Sequence, residues 1–283
     1  MTGSAGAGTI RPASAFAVSR LRRDRKAGHH VGPAKAGRHV LGRVLIAAPA
    51  VGFAVLAYAY LTLPDVRPLK TSNPATTAFM DLRDREARAN GRTPRRVQRW
   101  VSAARISPDL KRAVLVAEDD AFWQHEGIDF EQLQESIETD WARGRLIRGG
   151  STITQQLAKN LYLSPSKNPL RKLREFVIAR RLEAELTKPR ILELYLNVIE
   201  WGDGVYGVES AARTYFQKSA AELGPSEAAL LAAAIVNPRR LNPARPTKGL
   251  IRRQQRILRR MGAAVPNAQA GGRRGTAATS SSN

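Results

Sequence analysis

The stretch "EDDAFWQHEG" (118–127) sets three carboxylates before aromatics, a lone histidine and a glycine. In an uninterrupted helix, Leu110, Val114, Glu118 and Phe122 recur every four residues and share one face. A carboxylate on that apolar stripe loses hydration, which raises its pKa toward neutrality. A general acid or base working near pH 7 needs that property. Asp119 and Asp120 fall about 100° and 200° further round the helix and read as solvated or capping groups. The structural alternative for Glu118 is an acid tied to an arginine. A metal site built from the three acids and His125 is the weaker reading. His125 is seven residues beyond Glu118, and a lone histidine is more often a structural hydrogen-bonder.

The elements that must hold these residues are mostly helical. "SPDLKRAVLVAEDDAF" opens with Ser107 as N-cap and Pro108 at the first helical position. "TKPRILELYLNVIEW" starts at Thr187 and places Ile191, Leu194, Tyr195 and Val198 on one stripe. "PSEAALLAAAIV" (225–236) is apolar all round and predicts a central buried helix. A further long helix covers 168–186, and its basic run, taken alone, reads as a solvated face. Clean alternation is absent, so strands are minor.

The chain of 283 residues is 43% hydrophobic, enough for a real core, and has no cysteine. Thiol nucleophiles, disulfides and cysteine-held zinc are thereby excluded. The formal charge of +22 sits mostly in the ends: residues 1–43 carry +8 and residues 248–283 another +8. Basic tails suit nucleic acid or anionic lipid equally. The uncharged run Val44–Leu63 decides for lipid, because its 20 residues match an apolar core about 30 Å thick. Arginines and lysines precede it and Asp65 follows, so the positive-inside rule sets residues 1–43 in the cytoplasm and the rest outside. The expected organisation is a disordered basic tail (1–43), a single transmembrane helix (44–63), a stalk (64–74), a folded body (75–262) and a second disordered basic tail (263–283).

Five segments resemble, in order, the motifs of the peptidoglycan glycosyltransferases, glycosyltransferase family 51. "EDDAFWQHEG" fits E-D-x-x-F-x-x-H-x-G, and "GGSTITQQLAKN" (149–160) fits the second motif. "RKLRE" (171–175) is R-K-x-x-E, "KPRILELYLN" (188–197) is K-x-x-I-x-x-x-Y-x-N, and "RQQRILRRM" (253–261) is the fifth motif. With one anchor, the chain is most similar to the monofunctional biosynthetic members.

The resemblance implies a mainly α, lysozyme-like domain at the outer face of the inner membrane. It implies polymerisation of lipid II into β-1,4 glycan, releasing polyprenyl diphosphate with inversion at the sugar carbon. The family's catalytic glutamate falls on Glu118, as general base on the acceptor hydroxyl. Its second glutamate falls on Glu175, which would hold the diphosphate region through a divalent metal (magnesium or manganese) or a basic side chain; no organic cofactor is expected. Phe122, Ser151, Gln155, Gln156 and Asn197 match substrate-binding positions. Lys159, Lys167, Arg171 and Lys172 would meet the negative charge developing on the leaving group. Lys167 stands where many members carry arginine, keeping the charge and losing the bidentate fork. Partners implied are lipid II, the growing glycan, membrane lipid and other cell-wall synthesis or division proteins, with no nucleic acid.

Two literal matches are rejected. "GDGVYG" (202–207) spells G-x-G-x-x-G but follows a helix and not a strand, so it reads as a glycine loop. "SPSK" (164–167) spells S-x-x-K, but Pro165 interrupts the helix that motif needs and its companion motifs are missing. Phe130, Leu133, Ile137 and Trp141 form a stripe that either dips into the membrane surface or packs in the core. Two rival functions are a glycan-cleaving muramidase, which has no use for a cationic diphosphate site, and a noncatalytic membrane-tethered scaffold that binds lipid II.

Overall fold

The computed structural model describes residues 50–55, 57–58, 60–132, 134–135, 138, 150–163 and 169–263. The expected tails, Leu133, Ile137, Trp141, Lys167 and eight residues of the expected span (44–49, 56 and 59) lie outside them. The chain divides into two compact units, Met1–Leu56 and Ala57–Asn283. Of the first, residues 50–55 are helical. Among the described residues no helix is long and apolar enough to cross a membrane.

The second unit is mainly helical. Its helices are α1 (Ala78–Ala89), α2 (Pro108–Glu118), α3 (Ile153–Tyr162), α4 (Pro169–Glu185), α5 (Lys188–Val198), α6 (Val208–Phe216), α7 (Pro225–Ala234) and α8 (Lys248–Arg260). Helix α7 is the apolar centre, buried from Ala228 through Ala234. It packs against both α2 and α8, while α3 packs against α4 and α5. A small sheet joins β1 (Val97–Gln98), β2 (Glu200–Gly202) and β3 (Val205–Tyr206) in the order β1-β3-β2. The β1–β3 pair is parallel and the β2–β3 pair antiparallel. The "GDGVYG" segment is therefore a hairpin and not a plain loop. Gly204 turns it at φ +69°, where a side chain would collide with the Arg95 carbonyl.

Two further sequence expectations change in the course of the chain. The first helix stops at Glu118 and does not run on to Phe122. Asp119 leaves helical geometry at φ −166°, ψ 79°, so helix phase ends there and says nothing about Asp119 or Asp120. The expected stalk is part of the body. Val66 and Leu69 are buried in the core, and Arg190 donates to the Leu69 and Ser72 carbonyls and to Asn73 Oδ1, each at 2.8 Å.

Asn197, expected at a substrate position, is fully buried. Its amide accepts from Val101 N at 3.0 Å and donates to the carbonyls of Val101 at 2.9 Å and Glu193 at 2.8 Å. The residue ties α5 to the strand-bearing segment ahead of α2, so its part is structural. Replacing it leaves buried backbone groups without partners. Asn197→Ala is expected to lower stability by about 3 kcal/mol, read as a lower urea midpoint at constant m-value.

Candidate active site

The site begins where α2 ends. After Glu118 the chain turns through residues 120–124, with Phe122 buried among them, and His125 and Gly127 then bring the chain toward the start of α3. Asp119, expected in solvent or as a cap, is buried. Its carboxylate accepts from the Ile153 backbone N–H at 2.8 Å and from His125 Nε2 at 2.9 Å. Gly127 N donates to His125 Nδ1 at 3.0 Å, so that nitrogen carries no proton and Nε2 is the donor. Asp119 thus satisfies one of the free N–H groups at the α3 N-terminus, where the helix dipole also favours an anion. His125 is the structural hydrogen-bonder expected of it. Asp120 stays exposed, 3.2 Å from Arg260.

Thr152 caps α3, and its partner in the capping box is Gln155. Thr152 also donates to the Gly127 carbonyl at 2.7 Å. Gln155, expected at the donor site, therefore spends its side chain on the cap and is buried. Its neighbour Gln156 reaches the functional carboxylate: Nε2 donates to Glu118 Oε2 at 3.0 Å. Tyr195 on α5 donates to Gln156 Oε1 at 2.8 Å, which fixes the amide with its NH₂ toward Glu118.

Glu118 is 13% exposed at its side chain. Burial pushes its carboxyl above the ordinary range, while the Gln156 hydrogen bond and the charges of Arg253 and Lys159 pull it back. Lys159 lies one turn beyond Gln156 and moves the other way. Burial lowers its ammonium, opposed chiefly by Glu175 and also by Glu118, and reinforced by Arg171 and Lys172. Lys159 therefore sits within the fields of both glutamates.

Glu175 is buried on α4. Arg171 donates to its Oε2 at 2.7 Å and Lys172 to its Oε1. Lys172 also lies 3.3 Å from the hydroxyl of exposed Ser151. Both carboxylate oxygens are thus held by cations, and among the described residues no group of three or more His, Cys, Asp or Glu could hold a metal ion. This donor set does not fit a divalent cation on Glu175; it fits the basic-side-chain alternative.

Phe122 also departs from expectation. Its ring is completely buried, with Lys188 Nζ 4.5 Å from the centroid, so here it supports the turn from within the core. Phe130 is 64% exposed, not core. Sequence reasoning assigned no role to Tyr195, Glu183 or Arg253. Glu183 accepts from Thr154 at 2.5 Å and from Lys188 at 2.8 Å. Arg253 Nη2 lies 3.8 Å from Glu118 Oε1; its position at the head of the fifth motif was the available signal. A separate cavity of about 170 Å³ is lined by Arg83, Glu200, Tyr206 and Arg239 among others, and shares no residue with this cluster.

The arrangement offers a half-dehydrated carboxylate oriented by an amide, next to three cations organised by a second, buried carboxylate. Such a set can take a proton from a hydroxyl and stabilise an anion leaving nearby.

A family model described as transglycosylase matches residues 86–262. The biosynthetic peptidoglycan transglycosylase of Laribacter hongkongensis is 50% identical over 192 residues, covering 68% of this chain and 84% of that protein. The protein of that name from Dechloromonas aromatica is also 50% identical over 192 residues, covering 68% and 83%. One from Aromatoleum aromaticum is 52% identical over 168 residues, covering 59% and 73%.

Asp119→Asn would turn an NH₂ donor against Ile153 N–H or His125 Nε2–H. A loss of about 2 kcal/mol is expected, seen in thermal melts, with turnover per folded molecule falling as Gln156 loses its register on Glu118.

Proposed function

The chain belongs to the transglycosylase family and is a peptidoglycan glycosyltransferase, and on that premise we propose that Glu118 is the general base that extends glycan from lipid II. The observation that carries this reading is the pairing of half-buried Glu118, held by Gln156, with the cations Lys159, Arg171 and Lys172 around Glu175.

The acceptor sugar's 4-hydroxyl gives its proton to the Glu118 carboxylate as its oxygen attacks C1 of the donor sugar. The C1–O bond to phosphate breaks on the opposite face, and the electron pair leaves with the polyprenyl diphosphate. An α linkage becomes β-1,4. Negative charge grows on the diphosphate, where Lys159, Arg171 and Lys172 supply preorganised positive charge. Glu175 is not consumed; it holds Arg171 and Lys172 in place. Lys167 would add a further cation on sequence grounds. Ser151, exposed beside Lys172, is available to the donor. A glycan-cleaving enzyme expels no diphosphate, so this cation cluster argues for synthesis.

An envelope enzyme of this kind works on a membrane-bound substrate. The reading includes a single membrane anchor over 44–63, a cytoplasmic N-terminus and a lysozyme-like body on the outer face. The support for that topology is the uncharged run and the basic residues before it.

Glu118→Gln keeps the shape and the Gln156 contact but removes the base. Polymerisation of lipid II should fall by about 10²–10⁴-fold while lipid II binding persists; turnover near wild type would refute the assignment. The pH profile should be narrowed from both sides. Activity needs the carboxylate, so it falls as pH drops through a value above the ordinary glutamate pKa of 4.5. It needs the Lys159 ammonium, so it falls at the alkaline end below the ordinary lysine value of 10.5.

A further inference from the structure

Gln156 bonds one oxygen of Glu118 and leaves the other, Oε1, facing Arg253 on α8 at 3.8 Å. That gap is too long for a hydrogen bond but close enough for a strong field. The guanidinium is well placed by its own element. Leu250, Ile257 and Leu258 bury the apolar side of α8. The adjacent Gln254 donates to the Ser226 carbonyl at 2.8 Å and lies 3.0 Å from its hydroxyl, pinning α8 to α7. Helix α7 in turn packs along α2, which ends in Glu118. Arg253 Nε is buried and has no hydrogen-bond partner. A partly buried arginine with an unused, buried N–H, facing a half-buried carboxylate, is not an incidental surface pair.

We propose that Arg253 is a positioning residue for Glu118: its guanidinium opposes Oε1 as Gln156 holds Oε2, keeping the side chain ionised and aimed at the acceptor hydroxyl. This rests on Glu118 being the base. The other groups facing Glu118 do not duplicate the role. Lys159 from α3 also favours the charged form, but Glu175 competes for it. Asp119 disfavours the charged form and is occupied with Ile153 and His125. Asp120 turns to Arg260, Tyr195 from α5 bonds Gln156, and on α7 Glu227 pairs with Lys218. Arg253 is 31% exposed, so water screens part of its effect.

The test is the pH dependence of lipid II polymerisation by the full-length protein, with Arg253→Gln and Arg253→Lys beside wild type. Losing the cation makes Glu118 easier to protonate. The acidic limb of kcat should therefore move to higher pH by about one unit in Arg253→Gln, the low end for an opposite charge at this range. Arg253→Lys retains the charge on a shorter reach and should give a smaller shift, with KM nearly unchanged in both. Added guanidinium ion should return part of the lost rate to Arg253→Gln. The order wild type, lysine, glutamine along the pH axis is required; any other order overturns the proposal. If melting shows that the glutamine variant does not fold, a lysine variant with the wild-type limb overturns it. Glu118→Gln with full turnover would sink the general-base reading itself. An inactive Glu118→Gln with an unmoved limb in the arginine variants would sink this inference alone.

Discussion

The buried Asp119 carboxylate is the joint on which the site depends. It follows the last residue of α2 and accepts from the first residue of α3, so two helices far apart in sequence share one charged hydrogen bond. A buried anion must find donors or pay the full cost of desolvation, and here the donors are a helix N-terminus and the Nε2–H of His125. That requirement sets Gln156 and Lys159, on the first and second turns of α3, against Glu118. The tight passage around Gly127, at φ +87° with Glu183 close by, belongs to the same joint.

Around this joint, burial acts on two opposite charges in opposite senses. Dehydration raises Glu118 and lowers Lys159, which brings each group's titration closer to neutral pH. Neither is left alone. Gln156 and Arg253 stand on either side of Glu118, and Glu175 offsets the cost of Lys159. Arg171 and Lys172 sit within the first turn of α4, one turn before Glu175, where the positive end of the helix adds to their charge. The cations are thus drawn together by a carboxylate that is itself buried.

The motif residues separate into those whose side chains keep some exposure and those whose side chains are buried in the frame. Glu118, Gln156, Lys159 and Ser151 belong to the first group. Asp119, Phe122, His125, Gln155 and Asn197 belong to the second, spending their polar atoms on backbone groups or their rings on the core. A motif read as a string does not distinguish them, because a buried capping amide and a substrate-binding amide are the same residue type.

Local pattern was sufficient for several features. The apolar circumference of 225–236, the helix starts at Thr187 and Ser107, and the four-residue spacing from Leu110 to Glu118 depend on neighbours in the chain. The helices they imply formed. Glu118 lost its water for the reason its spacing indicated. What the sequence left open was every contact between helices: that Asp119 turns inward and ends α2, that Tyr195 orients Gln156, that Arg171 and Lys172 take both oxygens of Glu175, and that Arg253 arrives from the far end of the chain. Such contacts join residues up to 135 positions apart, and their geometry is set by how the apolar faces pack together, a constraint that no local periodicity records.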